Sequence, residues 1–437
     1  MKVLKFGGTS VGSAQRIKSV AELVCNRGKN IVVLSAMSGT TNSLLQISDA
    51  LRKNDITAAG HITDELEEKY QSVIDELFSD SDRLSDVRGI IKGFFDTIRD
   101  VCRQPLSQYT EKIIVSQGEL ISTTLMANHI ADRGVSVALI PALEFMRTDA
   151  NGEPDIDSIE KSLLPLISRN ADAQIYITQG FICRDHEGNV HNLQRGGSDY
   201  SASLIGAAVN AEEIEIWTDI DGMHNNDPRF VKNTSPVHNL HFEEAAELAY
   251  FGAKILHPTC ILPAKMKNIP VRLLNTMQPE AEGTRIDNTL RQKSIKAVAA
   301  KDGIIAIKIK SSRMLLAYGF LKRVFEIFEK YQTPIDMITT SEVGVSVTID
   351  NESNLTPIVR ELEKLGDVTV DRDMVIICVV GDLDWRNKGF EARALDAIAE
   401  VPVRMISYGG SNYNISFLIE AQHKQRVLQL LSQNLFN

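Results

Sequence analysis

The sequence is short of cysteine and of the arrangements that give cysteine a special role. Its five cysteines are scattered over 437 residues, and no two of them form a C-x-x-C pair. An odd, dispersed set in a chain of this length is typical of reduced, mostly buried thiols. An H-x-x-H spacing at His238 and His241 has no second cluster of ligands near it, so it predicts the start of a surface helix rather than a metal site.

Positive charge is scarce in the form that nucleic-acid binding requires. The formal net charge is −10, and the sequence contains no long run of lysine and arginine. Because binding to a phosphate backbone needs a basic face, this balance argues against a nucleic-acid-binding protein. We expect small-molecule or protein partners instead.

Long apolar runs are missing as well. Lys5 and the two glycines after it interrupt the first apolar run before the hydrophobic region of a signal peptide could form, and no stretch is long enough to span a bilayer. We therefore expect a soluble, cytoplasmic protein. With 43% hydrophobic residues, the length suffices for two or three domains.

What the sequence does contain, up to about residue 290, is an alternation of helical patterns with apolar, β-branched runs. The runs lie at residues 31–37, 135–142, 173–181, 213–222 and 269–275. Such alternation predicts an α/β fold in which a mostly parallel sheet is sandwiched by helices and ligands bind at the carboxyl ends of the strands. Residues 51–112 are acidic and helical instead. We interpret them as a helical excursion that covers the active site, carries an interface or forms a structural hairpin.

An internal repeat follows residue 290. The strands IIAIKI and VIICVV, at 304–309 and 375–380, are each followed by a Gly-Phe turn, a helix, two strands joined by a polar turn, and another helix. The repeat resembles a pair of ferredoxin-like βαββαβ ACT domains, which typically bind amino acids between paired copies. We assign the copies to 303–370 and 371–437, with a strand from 294–300 as a candidate addition to the second.

Two glycine turns carry the strongest chemical signals. The segment KFGG at 5–8 ends the first strand and precedes a helix, so its backbone amides can approach a phosphate; a plain strand-to-helix turn uses the same glycines. Neither G-x-x-x-x-G-K-[ST] nor G-x-G-x-x-G is present. The segment RGGSD at 195–199 offers an arginine suited to a carboxylate. Ser198 or Asp199 can cap the following helix, and Asp199 could instead orient a phosphate-binding lysine.

Three further segments are weaker when each is taken alone. Thr218 and Asp219 end an apolar strand before a polar turn, where carboxylates can hold Mg²⁺ directly or through water. Glu119 follows Gly118 at the predicted start of a helix, where an acid suits the helix dipole or pairs with a substrate ammonium. Lys254 precedes a proline break, where a lone lysine is usually solvated.

In this order and over this length, the segments KFGGTSV, SQGE, RGGSDYSA, WTDIDG and GAKILHP resemble those of the aspartate kinases in the amino acid kinase family. The resemblance covers essentially the whole chain and is strongest to the monofunctional, lysine-sensitive type with two C-terminal ACT domains. It implies a catalytic domain over 1–290 and transfer of a phosphoryl group from ATP, with Mg²⁺, to the side-chain carboxylate of L-aspartate. The products are 4-phospho-L-aspartate and ADP, and the reaction is the first step of lysine, threonine and methionine synthesis.

The resemblance also implies roles for the matching residues. The catalytic set is Lys5, Gly7, Gly8 and Asp199. The acceptor pocket contains Thr41, Glu119 for the α-ammonium, Arg195 for the α-carboxylate, Gly196, Gly197 and Ser198. The residues expected to face ATP are Lys5, Thr218, Asp219, His224, Arg229, Lys254 and Ile255, where His224 stands at a position that is often tyrosine in relatives. No set of protein ligands for a resident metal is expected.

For regulation, the resemblance implies feedback inhibition by an amino acid. The matching residues are Met314, Gly319, Phe320, Leu321, Asp336, Thr340, Ser341 and Glu342. Lysine is the expected effector, although Leu316 and Ala317 replace polar residues of some relatives and leave threonine open. Pairing of ACT domains implies a homodimer or a dimer of dimers. The alternatives are a related amino acid kinase with another acceptor and a non-catalytic amino acid sensor built on a decayed kinase domain.

Overall fold

The computed structural model describes residues 1–193, 196–252, 257–289, 294–314 and 318–436. Its strands are β1 (Lys2–Phe6), β2 (Asn30–Leu34), β3 (Val137–Leu139), β4 (Ile175–Gln179), β5 (Ile182–Arg184), β6 (Val190–Asn192), β7 (Ile214–Thr218), β8 (Asn239–His241), β9 (Val271–Asn275), β10 (Thr284–Asp287), β11 (Ile295–Lys310), β12 (Ile338–Thr340), β13 (Gly344–Ile349), β14 (Asp367–Gly381), β15 (Met405–Ser407) and β16 (Asn414–Glu420).

Its helices are α1 (Ala14–Cys25), α2 (Thr40–Arg52), α3 (Ile56–Leu77), α4 (Ser81–Cys102), α5 (Gln108–Asp132), α6 (Ala142–Phe145), α7 (Ile156–Arg169), α8 (Gly197–Ala208), α9 (Phe242–Tyr250), α10 (Leu262–Met266), α11 (Phe320–Lys330), α12 (Leu355–Leu362), α13 (Phe390–Ala397) and α14 (Lys424–Leu435).

The chain divides into two compact units. The first contains the described residues up to Gly222 and from His257 to Asn288, and the second contains those from Met223 to Gly252 and from Thr289 onward. The sequence groups the segment that begins at Met223 with residues 1–290, whereas the structure packs it within the second unit. There, for example, the Asn226 side-chain amide donates a hydrogen bond of 2.9 Å to the Leu428 carbonyl.

The first unit is built on a sheet with the strand order β3-β4-β2-β1-β7-β9-β10. Neighbouring strands are parallel except for β9 and β10. Strands β2 and β4 are buried at all five positions, and successive side chains of a strand point to opposite faces, so both faces of the sheet are covered. The predicted parallel α/β fold is confirmed.

The helical excursion consists of α3 and α4, each 22 residues long. Asp55 and Asp80 cap the two helices by accepting hydrogen bonds from first-turn amides. Apolar side chains of both helices, such as Tyr70 and Phe95, belong to the same hydrophobic core as β1 and β2. The excursion is therefore an integral part of the first unit.

The second unit contains a six-stranded antiparallel sheet with the order β12-β13-β11-β14-β16-β15. Two long strands, β11 and β14, run through both copies of the repeat. The second half of β11 pairs with β13 and with the first half of β14, while residues 295–301 of β11 pair with the second half of β14. The strand near 294–300 thus completes the second ACT module, and the predicted duplication is confirmed.

The structure also bears on the cysteines and on the lack of long apolar runs. The five cysteines are free thiols, and Cys102, Cys183, Cys260 and Cys378 are buried. Within the described residues, no helix combines the length and the apolar character that crossing a membrane requires.

Candidate active site

Lys5 lies near the end of β1, between the neighbouring strands β2 and β7, and only 9% of its surface is exposed. Its ammonium nitrogen is 2.6 Å from Oδ1 of Asp199, in the first turn of α8. The two residues are 194 positions apart in sequence, so the pairing depends on the fold. A largely buried ammonium held in this way can meet the charge of a phosphoryl group.

The glycine loop after β1 has a shape that requires glycine at position 8. A Cβ atom on Gly8 would lie 2.7 Å from the Ala36 carbonyl oxygen, which is closer than real Cβ contacts. The Gly8 carbonyl accepts a hydrogen bond of 3.1 Å from the Ser38 amide, and the Gly7 amide donates one of 3.3 Å to the Trp217 carbonyl. A phosphate contact by the Gly7 amide would therefore share or replace that bond. The loop and the Lys5 ammonium thus lie together at the end of β1, as a phosphate-binding turn requires.

The second glycine turn differs from the expected cap. Helix α8 begins at Gly197, and its N-cap residue is Gly196 with φ of +74°, so neither Ser198 nor Asp199 caps it. A Cβ on Gly197 would lie 2.5 Å from the Phe181 ring, which explains a glycine there. Because Asp199 is not used as a cap, its carboxylate is available to Lys5. Arg195 lies outside the described residues.

Glu119 is not at the start of a helix, so the helix-dipole explanation for it is wrong. Helix α5 begins eleven residues earlier, at Gln108, where Ser107 and Thr110 form a capping box. Glu119 is 3% exposed, and its Oε1 accepts a hydrogen bond of 3.2 Å from the Ala36 amide. Its Oε2 has no hydrogen-bond partner among the described residues. Burial raises the pKa of Glu119 to about 7.

Thr41 is the second residue of α2, two positions after the left-handed N-cap Gly39. The segment that carries it leaves β2, and β2 is the sheet neighbour of β1. Parallel strands end at the same edge of a sheet, so the sheet brings this segment and the loop after Lys5 to one edge. The Ser38 and Gly8 hydrogen bond described above is the direct contact between them.

The residues predicted to face ATP fall in different parts of the chain. Thr218 and Asp219 end β7, where the Thr218 hydroxyl donates a hydrogen bond of 3.2 Å to Asp219. In the second unit, the His224 ring shares a hydrogen bond of 2.8 Å with the Thr234 hydroxyl, and Arg229, 68% exposed, pairs with the Asp227 carboxylate at 2.6 Å. Lys254 and Ile255 lie outside the described residues.

Metal-ligating side chains are not clustered in the part of the chain that the structure describes, where no group of three or more His, Cys, Asp or Glu residues could hold an ion. Magnesium in kinases is commonly held by substrate phosphates, water and one or two carboxylates. Asp219 at the end of β7 is a carboxylate of this kind.

The eight predicted effector residues all lie in the first ACT module. Leu316 and Ala317, which replace polar residues of some relatives, fall outside the described residues. Phe320 is 3% exposed and belongs to the hydrophobic core of the module, against which the partly buried Met314 and Leu321 pack. Gly319 is the left-handed N-cap of α11. Thr340, Ser341 and Glu342 are exposed at the end of the edge strand β12.

Asp336 precedes β12, and its side chain is only 2% exposed. Its Oδ1 lies 2.6 Å from the Lys301 ammonium and accepts a hydrogen bond of 2.8 Å from the Tyr250 hydroxyl, whereas its Oδ2 has no hydrogen-bond partner among the described residues. Sequence analysis missed both partners. Lys301 lies on a strand that completes the other module, so no local pattern links it to Asp336.

Comparison with known proteins agrees with this geometry. Residues 1–275 match the model of the amino acid kinase family, and residues 377–435 match that of the ACT domain. Over 99% of its length the chain is 34% identical to chloroplastic aspartokinase 1 of Arabidopsis thaliana, of which it covers 80%. It is 32% identical to lysine-sensitive aspartokinase 3 of Escherichia coli, with 99% of each chain covered. The chain belongs to the aspartokinases of the amino acid kinase family.

The likeness to aspartokinases extends to three dimensions. Escherichia coli aspartokinase III, solved with aspartate and ADP, superposes with a TM-score of 0.82 at 31% identity, and all of both chains is covered. The same enzyme solved with lysine and aspartate gives a TM-score of 0.80 at 32% identity. The protein is therefore a kinase that carries ACT modules.

Proposed function

We propose that the protein transfers the γ-phosphoryl group of ATP to the side-chain carboxylate of L-aspartate, giving 4-phospho-L-aspartate and ADP. An α-amino acid as acceptor is supported by Glu119, a buried carboxylate whose Oε2 has no partner among the described residues. Such a group gains most from a buried cation, and the α-ammonium of an amino acid supplies one. The relative solved with aspartate and ADP supports the same acceptor.

The reaction requires little covalent chemistry from the chain. A carboxylate oxygen of the acceptor is already a nucleophile, so its bond to phosphorus forms and the bond to ADP breaks without a general base. In this proposal Lys5 neutralises the transferring phosphoryl group, Asp199 holds Lys5 in place, and Gly7 and Gly8 let the backbone approach the phosphates. Mg²⁺, bound with ATP, offsets charge on the phosphate oxygens.

We assign the acceptor pocket to Thr41, Glu119, Arg195, Gly196, Gly197 and Ser198. Glu119 binds the α-ammonium and Arg195 clamps the α-carboxylate in a bidentate manner. Helix α2 begins at Thr40 and helix α8 at Gly197, and the first-turn amides of a helix favour bound carboxylates.

We assign Thr218, Asp219, His224, Arg229, Lys254 and Ile255 to the nucleotide, together with Lys5. Arg229 can leave its ion pair with Asp227 for a phosphate at little cost, because an ion pair of so exposed an arginine contributes about 1 kcal/mol or less.

For regulation, we propose feedback inhibition by lysine bound at the first ACT module, through Met314, Gly319, Phe320, Leu321, Asp336, Thr340, Ser341 and Glu342. The unpartnered Oδ2 of Asp336 supports a cationic ligand, as does the relative solved with lysine. The effector acts by stabilising a state with low affinity for substrate.

Some features of the proposal concern the cellular context. We propose that the enzyme catalyses the first step of lysine, threonine and methionine synthesis in the cytoplasm. It assembles as a homodimer or a dimer of dimers through its ACT modules. The proposed domains are 1–290, 303–370 and 371–437, with the described residues from Met223 to Gly252 packed within the second unit rather than the first.

The test of the reaction is ADP release by the purified protein with MgATP and L-aspartate, L-glutamate or no acceptor, each with and without lysine or threonine. We expect turnover with aspartate alone and suppression by lysine. Turnover with glutamate and not aspartate would show that glutamate is the acceptor. Suppression by threonine alone would show that threonine is the effector. No turnover with any acceptor would favour a non-catalytic sensor.

The pH dependence of aspartate binding tests the role of Glu119. Only the ionised carboxylate pairs with the substrate ammonium, and the pKa of about 7 leaves Glu119 mostly protonated at pH 6. The KM for aspartate should therefore be roughly tenfold higher at pH 6 than at pH 8, while the KM for ATP changes little. An aspartate KM that is constant over this range would remove Glu119 from the pocket.

A further inference from the structure

Tyr70 of α3 is a completely buried tyrosine whose hydroxyl reaches the substrate edge of the first unit. Its side chain is 0% exposed and packs in the core beside Phe95, with ring centroids 5.8 Å apart. The Tyr70 hydroxyl and Thr40 Oγ1 share a hydrogen bond of 2.8 Å. Burial, and then the nearby Glu119 carboxylate, raise the pKa of Tyr70, so the hydroxyl stays protonated and the hydrogen bond persists at ordinary pH.

Thr40 lies between two groups of the acceptor pocket. It is the first residue of α2, directly before Thr41, and it is itself 0% exposed. Its methyl group faces Gly118, since a Cβ on that glycine would lie 3.3 Å from Thr40 Cγ2. Gly118 precedes Glu119. A displacement of Thr40 would therefore shift both Thr41 and the turn of α5 that carries Glu119.

A second contact from α3 holds the same segment two residues earlier, at Ser38. The Lys69 ammonium donates a hydrogen bond of 2.9 Å to the Ser38 carbonyl, and the Ser38 amide donates to Gly8. Adjacent residues of α3 thus hold both ends of the short segment from Ser38 to Thr41. This segment is continuous with the phosphate-binding loop on one side and with the acceptor pocket on the other.

A buried hydroxyl must keep a partner or move toward one, because leaving it unpaired costs the desolvation of the group. Removing the Tyr70 hydroxyl would leave Thr40 Oγ1 in that position. The cost is relieved if Thr40 rotates or α2 shifts, and either change displaces Thr41.

We propose that Tyr70 is a positioning residue for the acceptor: through Thr40 it fixes Thr41 and the wall that carries Glu119. The helical excursion then has a function, which is to fix the position of the residues at the inner wall of the acceptor pocket. The inference rests on the proposed function, in which Thr41 and Glu119 bind aspartate.

Steady-state kinetics of Tyr70→Phe test the proposal, with Tyr176→Phe as a matched control. Tyr176 is also 0% exposed, and its hydroxyl donates one hydrogen bond of 3.1 Å, to the Asn170 carbonyl at the end of α7. We expect the aspartate KM of Tyr70→Phe to rise roughly five- to tenfold, the size of one lost hydrogen bond, with the ATP KM and kcat within about twofold of wild type. Tyr176→Phe should leave all three constants within about twofold.

A double-mutant cycle with Thr40→Val separates positioning from general loosening, and it also serves if Tyr70→Phe fails to fold. Thr40→Val keeps the shape of threonine without its hydroxyl, so it should raise the aspartate KM in the same way, and the double variant should add nothing further. An unchanged aspartate KM in folded Tyr70→Phe or Thr40→Val, equal rises for aspartate and ATP, or additive effects would each overturn the inference alone. A wild-type protein without aspartate-dependent ADP release would instead overturn the proposed function.

Discussion

The two ACT modules carry an ion pair at equivalent positions of their folds. The acid and the base are interchanged between the two modules. In the first module, Asp336 precedes the edge strand β12 and pairs with Lys301 of β11 at 2.6 Å. In the second, Arg404 precedes the edge strand β15 and pairs with Asp371 of β14 at 2.9 Å. In each case the partner lies on the long strand that completes the other module.

The backbone confirms that the two positions are equivalent. The Asp336 amide donates a hydrogen bond of 2.9 Å to the Thr348 carbonyl of β13, and the Arg404 amide donates one of 2.8 Å to the Leu418 carbonyl of β16. The duplication therefore kept the main-chain geometry while the side chains changed sign.

Burial separates the two pairs. Asp336 and Lys301 are 2% and 17% exposed, whereas Arg404 and Asp371 are 29% and 43% exposed. Of the two modules, the first thus offers a buried carboxylate to an incoming ammonium group, while the second presents a cation there. In the proposed regulation, this difference in charge and burial would let the first module bind a cationic amino acid where the second does not.

The largest expected difference between the modules is in stability. Lys301→Met leaves Asp336 as a buried charge without its cation and should lower the free energy of unfolding by about 3 kcal/mol, whereas Arg404→Met should cost less than about 1 kcal/mol. Urea denaturation of both variants measures this. Free lysine should partly restore the midpoint of Lys301→Met, since its ammonium can replace the lost one. Equal losses of unfolding free energy in the two variants would show that the difference in burial does not affect stability.

The next difference is in feedback inhibition. Asp336→Asn removes the carboxylate charge proposed for the effector, so the lysine concentration that halves the activity should rise at least about tenfold. The matched variant Asp371→Asn should shift it by less than about twofold, because that pair is half exposed and lacks the buried carboxylate. ADP release measured against lysine concentration gives both values. Similar shifts in the two variants would indicate that the effector site involves both modules.

The smallest effect should be the same in both modules. Gly319 and Gly389 are the N-caps of α11 and α13, with φ of +76° and +88°, and a Cβ on either would have no neighbour within 4 Å. Replacing either glycine by alanine should cost about 1 kcal/mol through backbone strain alone. Urea midpoints of the two variants should agree, and a clear difference would show that the repeated turns are not equivalent.

Local features were the part of the fold that the sequence predicted well. The Gly-Phe turns at Gly319 and Gly389 were visible because a positive φ is a property of one residue, and the parallel sheet was visible because strands buried on both faces are apolar throughout. The pairing of Lys301 with Asp336 was not predictable, since it depends on a strand that crosses from one module to the other.

The candidate site divides in the same way. The two glycine turns were found from sequence because close backbone approach demands glycine. The position of Glu119 within its helix was predicted wrongly, because Gly118 looks like a helix boundary when it is in fact a packing position against Ala36. Tyr70 carries no local signal at all, since it resembles any other apolar-face residue of an amphipathic helix. The roles of Arg195, Lys254 and Ile255 stay predictions.

The shared strands β11 and β14 also constrain how this regulatory region can be inherited. Each of the strands 295–310 and 367–381 contributes about half of its residues to the sheet of the first module and the other half to that of the second. A recombination that exchanged residues after about 370 would therefore replace most of one module and keep a strand of the old one in its sheet. Exchange between lineages should preserve the region from about 294 to the C-terminus as one heritable block, so that sensitivity to an effector is gained or lost by point changes such as the charge at Asp336.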